Sequence, residues 1–178
     1  MFQYPLDINF YFIKIVFMEE IDGTDLRLLE ALQRDASVSN QDLAQALGVS
    51  PATCLRRTRR LRESGLIEHQ MAVLSTDRLA SRLGHGLTAV VEITLDRQGD
   101  EQARAFESRV VGDEAVQQCY RVSPGPDFVL IVRVRDMPAY AALAQRLLNS
   151  DANVRNVKAF FSVHRAKFRP IEPLPTGL

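Results

Sequence analysis

Asp42-Leu43-Ala44-Gln45-Ala46-Leu47-Gly48-Val49 runs directly into Ser50-Pro51-Ala52-Thr53-Cys54-Leu55-Arg56-Arg57-Thr58-Arg59-Arg60-Leu61-Arg62. The first stretch is amphipathic and ends at Gly48, a residue suited to the positive φ of a turn. In the second, the Ser50 hydroxyl can cap a helix, and Pro51 takes the first helical position, where a missing N–H costs nothing. Gly65 suits the C′ position at its end. Two helices joined by so short a turn read as a helix-turn-helix. The second helix carries Arg56, Arg57, Arg59, Arg60 and Arg62. A chain whose 22 basic and 22 acidic residues cancel has no general reason to put that much positive charge on one short helix. A helix that enters a DNA groove does.

Upstream, Asp22 or Thr24 can cap a first helix of about a dozen residues, with Leu26, Leu28, Leu29 and Leu32 as its buried stripe. Ser39-Asn40-Gln41-Asp42 resembles a capping box with Asp in place of Glu. Downstream, Leu66 to Val73 reads as a strand, which completes a winged helix-turn-helix over residues 18–74. Residues 75–85 read as a linker of mixed polarity. The period then changes. Leu87 to Leu95 alternates as a strand, Asp100 to Val110 reads as a helix, and Ala115 to Val122 as a strand. Ser123-Pro124-Gly125-Pro126 is a loop that no regular element tolerates. A strand from Asp127 to Val134, a helix capped by Asp136 and running to about Leu148, and a last strand from Val154 to His164 follow. The order β-α-β-β-α-β over residues 86–168 is the ferredoxin-like arrangement. The expected class is therefore α+β, a winged helix-turn-helix followed by a ferredoxin-like domain.

Residues 169–178 read as a loose tail or a dimer arm. Residues 1–17 are aromatic and β-branched, with Asp7 and Lys14 as their only charges, and lack the basic start of a signal peptide. They read as a non-native or flexible extension ahead of a start at Met18, or as an extra strand that pairs with something.

The remaining composition mostly excludes. Cys54 and Cys119 fall on different expected elements, which is neither a disulfide framework nor a metal site and fits a reducing cytoplasm. A cytoplasmic protein, nucleoid-associated when bound to DNA, is expected. No apolar run reaches the roughly 18 residues of a membrane span. His69, His85 and His164 show no ligand spacing, so no metal or other cofactor is expected. No nucleophile–base set is visible, and a ferredoxin-like fold alone does not argue for an enzyme.

A helix advances about 100° per residue. With Cys54 placed at the core as a small hydrophobe, Thr58 and Leu61 share its face, against Leu43, Leu47, Val49 and Ile67. The opposite face carries Ala52, Thr53, Arg56, Arg59, Arg60 and Glu63, with Arg57 toward one border. The N-terminal residues of such a helix touch base edges, which points to Thr53 and Arg56. Ser50, Arg57, Arg59 and Arg60 are then assigned to phosphates, which position without specifying sequence. The plainer alternative is a solvated basic helix, or arginines paired with acids elsewhere.

These residues also carry a resemblance. Ile21-Asp22 with Asp25 and Leu28-Leu29, Asn40-Gln41-Asp42-Leu43-Ala44, the Ser-Pro-x-x-Cys-x-x-Arg run from Ser50, and Gly65-Leu66-Ile67 resemble the Lrp/AsnC family of prokaryotic transcription regulators. The likeness spans roughly residues 18–168, continuing through Val91 to Leu95, Cys119-Tyr120, Asp127-Phe128 and Asp136 to Tyr140. It implies double-stranded DNA as a partner, homodimers formed through the sheets, tetramers or octamers of these, and a small-molecule effector, usually an amino acid. The effector is expected near the loop of Ser123, Gly125, Asp127 and Phe128, with loop N–H groups on its carboxylate and Asp127 on its ammonium. Asp127 can instead merely stiffen the hairpin. Two positions depart from the family pattern. Pro124 stands where glycine is usual, and Ala152-Asn153 where Pro-Gly is common, although Asn153 tolerates a left-handed backbone. An effector-independent, chromatin-like DNA binder is the alternative that the altered loop favours.

Overall fold

The computed structural model describes residues 21–84 and 86–175. The expectations for residues 1–17, for a start at Met18 and for His85 lie outside the described residues. The chain divides into two compact units, one reaching to Ala72 and including residues 169–175, the other spanning Val73–Phe168.

The first unit is helical. Helix α1 (Gly23–Arg34) starts from a reciprocal capping box. The Asp22 carboxylate accepts the N–H groups of Thr24 and Asp25 at 2.8 and 2.9 Å, and the Asp25 carboxylate accepts the Asp22 N–H at 3.2 Å. Helix α2 (Asn40–Leu47) starts at Ser39, whose Oγ accepts the Asp42 N–H at 3.1 Å. Gly48 ends it with φ 69°, which a side chain would strain. Helix α3 (Pro51–Glu63) starts at Ser50, whose Oγ accepts the Thr53 N–H at 3.2 Å. The three helices close on Leu28, Leu43, Ala44, Leu47, Cys54 and Leu61. Thr58 joins this core by donating its hydroxyl to the Cys54 carbonyl at 2.9 Å, which satisfies that buried hydroxyl.

Three expectations need correction. Leu66 to Val73 forms no strand, because no described residue pairs with it, and an extended segment without a ladder partner is not a stable strand. The expected linker contains a helix, α4 (Thr76–Leu83), whose two caps outweigh its mixed polarity. Ser75 accepts the Arg78 N–H at 3.4 Å, and Gly84 takes a left-handed conformation. The tail is not loose where it is described. The Gln33 amide donates to the Glu172 carbonyl at 3.3 Å and accepts the Glu172 N–H at 2.6 Å, holding the tail against α1.

The second unit is β1 (Leu87–Leu95), α5 (Asp100–Val110), β2 (Val116–Arg121), β3 (Phe128–Val134), α6 (Met137–Leu143) and β4 (Val154–Phe161), with α6 extended by a π-helical turn at Ala144–Asn149. The sheet order is β2-β3-β1-β4, and all neighbours are antiparallel. This is the ferredoxin-like order. Ala89, Val91, Ile93 and Leu95 of β1 and Phe128, Leu130 and Val132 of β3 face the helices. They pack against Phe106 and Val110 of α5 and Tyr140 and Leu143 of α6. The other face presents Val90, Val129, Ile131, the half-exposed Tyr120 and Phe160, and the cross-strand pair Glu92–Lys158. Asn153 does not use the left-handed region. Its side chain instead accepts the Arg97 N–H at 2.9 Å and donates to the Arg97 carbonyl at 3.3 Å, which fixes the turn into β4.

Candidate nucleic-acid interface

The rotation of α3 about its own axis is set from both sides. Cys54, Thr58 and Leu61 sit in the core. Beside them, Arg57 and Arg60 turn toward α1, where Asp25 is fully buried. Arg57 donates to Asp25 at 2.9 Å and to Asp22 at 2.8 Å, and Arg60 donates to the second oxygen of Asp25. The Asp25 hydrogen bond, then that of Asp22, holds the Arg57 guanidinium above its ordinary pKa. Asp22 lies below the usual carboxylate range, chiefly because it accepts the Asp25 N–H and then the Arg57 guanidinium.

This arrangement corrects the assignment of Arg57 and Arg60 to phosphates. Their side chains are only 19% and 27% exposed, and both guanidiniums donate to the buried Asp25 carboxylate. Asp25 was not legible as their partner because it lies 32 and 35 residues away. Ser50 is exposed, but its hydroxyl both caps the helix and donates to Thr53 Oγ1 at 2.9 Å. Thr53 is half-buried. The exposed arc consists of Ala52, Leu55, Arg56, Arg59, Arg62 and Glu63. Arg59 pairs with Glu63 one turn on at 2.7 Å, a solvated contact that a phosphate can replace. Arg62 donates to the Gln70 side chain at 2.7 Å. Leu55 and Arg62 were not assigned from sequence. Both lie about 80–100° from Cys54, a border position until the two inward arginines define which border faces out.

The second expected site is the β2–β3 loop. Ser123 and Gly125 are exposed, and Gly125 has φ 127°, a conformation that requires glycine there. Asp127 is a structural staple. Its N–H donates to the Ile93 carbonyl at 2.8 Å, and its carboxylate accepts the Leu95 N–H at 2.7 Å and a Gln98 amide hydrogen at 3.4 Å. Phe128 is fully buried, with its ring 4.7 Å from that of Phe106. Its expected contact with an effector therefore does not fit. The alternation Phe128, Leu130, Val132 already carried that signal.

A model of the winged helix-turn-helix DNA-binding domain matches residues 21–68, and one of the Lrp/AsnC ligand binding domain matches residues 88–171. The Bkd operon transcriptional regulator of Pseudomonas aeruginosa is 33% identical over 157 residues, covering 88% of this chain and 100% of the relative. This chain belongs to the Lrp/AsnC family. The leucine-responsive regulatory protein of Escherichia coli K12, another Lrp/AsnC relative, is 33% identical over 149 residues, 84% of this chain and 88% of its own. Among solved structures, a Neisseria meningitidis transcriptional regulator in complex with L-methionine superposes with a TM-score of 0.73. It is 26% identical and covers 86% of this chain and 97% of its own. An Lrp/AsnC regulator of transcription, with a winged helix-turn-helix and an α+β ligand-binding domain, is thereby established. Its relatives are regulators, which implies a DNA-binding rather than a catalytic role. Among the described residues no helix is long and apolar enough to cross a membrane.

Proposed function

We propose that this protein is a sequence-specific regulator that binds duplex DNA as a symmetric homo-oligomer, and that a small molecule, an amino acid, shifts its DNA binding or assembly. The observation that carries the reading is the outward arc of α3, which presents three arginines on a helix locked from behind by Asp25. Arg56 near the helix start reaches base edges, with Thr53 beside it. Ser50, Arg59 and Arg62 meet phosphates. Arg57 and Arg60 position the helix. The helix-free sheet face, with Val90, Ile131, Tyr120 and Phe160, is the surface through which two copies pair, and the DNA half-sites mirror that symmetry. A regulator of this kind acts in the cytoplasm, on the nucleoid when DNA-bound.

The effector reading is supported by the methionine complex of the Neisseria regulator and by the leucine-responsive name of the Escherichia coli relative. In this chain Ser123 and Gly125 are the accessible loop groups, while Asp127 is available to an ammonium only by sharing the oxygens that staple β1. A second reading, effector-independent architectural binding, is favoured by that staple and by Pro124. Selection of bound duplexes from a random pool, repeated with Arg56→Ala, tests the first reading. A palindrome relaxed at one position by Arg56→Ala supports it, and featureless DNA refutes it. Titrating amino acids against the selected duplex then separates the two readings. A shift in affinity marks an effector, which DNA must reciprocally affect. Invariance with every amino acid favours the architectural one.

A further inference from the structure

We propose that Leu55 is a specificity-determining residue that reads thymine through its C5-methyl group in the major groove. The proposal rests on the DNA-binding reading above. The Leu55 side chain is 60% exposed, and among the described residues of α1, α2 and α3 it is the one large apolar side chain left on the surface. Leu28, Leu43, Leu47 and Leu61 are buried, and Leu26, Leu29 and Leu32 are half-buried. A lone surface leucine is ordinary by itself. The position of this one is not. Leu55 lies one turn after the exposed Ala52 and one turn before Arg59, with Arg56 and Arg62 on the same arc. The core residues Cys54 and Leu61 and the Asp25 clasp on Arg57 and Arg60 prevent α3 from rolling to hide it.

Charge decides the occupant. A surface of three arginines around a small apolar strip is complementary to a polyanion rather than to an apolar protein face. Whatever duplex is drawn against Arg56, Arg59 and Arg62 therefore meets Leu55 and Ala52 as well. A leucine offers no donor or acceptor, so it cannot distinguish the hydrogen-bonding edges of the bases. The apolar feature that the major groove displays is the thymine methyl.

The test uses the full chain and a duplex selected by it, resynthesised with deoxyuridine in place of thymine at one position at a time. This removes the methyl group and leaves base pairing and phosphates unchanged. Wild-type protein is expected to weaken about fourfold at one thymine of each half-site, the worth of one buried methyl-sized group. Leu55→Ala, a change at an exposed position that leaves the core intact, is expected to bind the thymine and uracil duplexes equally while still requiring Arg56. Equal wild-type binding at every thymine overturns the proposal, as does unchanged discrimination by Leu55→Ala. If the protein binds no duplex, the DNA-binding reading itself fails and this proposal falls with it.

Discussion

Replacing Asp25 with asparagine removes one negative charge from a fully buried site shared by two arginines. Deleting one partner of a buried ion pair costs about 3–5 kcal/mol, most of it the penalty on the charge left behind. Here the carboxylate is 0% exposed, but the guanidiniums are 19% and 27% exposed and recover part of their hydration. Asparagine also keeps one carbonyl acceptor for the Asp22 N–H or for Arg57. The expected loss is thus about 2–3 kcal/mol. Urea denaturation of the full chain reads it, combined with hydrogen exchange at amides of α1, α2 and α3. Urea is required because guanidinium salts would screen the pairs. Asp22→Asn should cost clearly less, since its carboxylate is half-exposed and asparagine caps a helix as well as aspartate does. Asp25→Asn combined with Arg57→Met should lose less than the sum of the single changes. A loss below about 0.5 kcal/mol for Asp25→Asn would place the clasp among ordinary surface pairs and refute the claim that it sets the rotation of α3.

The remaining expectations follow from the same geometry. Arg59→Gln and Arg62→Gln should each reduce the slope of log affinity against log salt by about 0.9, while Arg57→Gln should leave the slope unchanged; titrations at several salt concentrations check this. Gly48→Ala should destabilise the helical unit by about 1–2 kcal/mol through its positive φ, measured by the same urea assay. Asp113 is held below its ordinary pKa of 3.8, first by its hydrogen bond from Arg146. A depressed carboxylate stabilises the fold fully above its unfolded pKa and progressively less as pH falls through the folded value. Thermal melts should therefore show this contribution intact at neutral pH and lost only below about pH 3.8, with Arg146→Gln reducing that acid sensitivity.

Much of the architecture was legible because it is local. Ser50 followed by Pro51, Gly48, and the alternation of Leu87 to Leu95 each state their conformation within one or two turns of chain. The same locality explains α4: Ser75 and Gly84 are its start and stop signals, and its eight residues are amphipathic at the helical period, so the signal was present in the sequence. The Leu66–Val73 stretch failed in the opposite direction, since its apolar content after Gly65 suggests a strand but only a neighbour makes one. At the site, Cys54, Thr58 and Leu61 fixed which side of α3 is buried. They did not fix its borders. Arg57 and Arg60 were drawn inward by Asp25, a contact across 32 and 35 residues that no spacing rule reveals, and Leu55 and Arg62 were thereby turned outward. Asp127 was visible as either a ligand group or a hairpin brace; its bond to the Leu95 N–H makes it a brace in this chain.

The outward arc of α3 is proposed to read bases through Arg56. Methylation interference at guanine N7 tests it most directly, with wild-type and Arg56→Ala proteins on the same selected duplex. N7 methylation at one symmetry-related guanine per half-site should block the wild-type protein and be ignored by Arg56→Ala. Interference that is absent, or identical in both proteins, would contradict it.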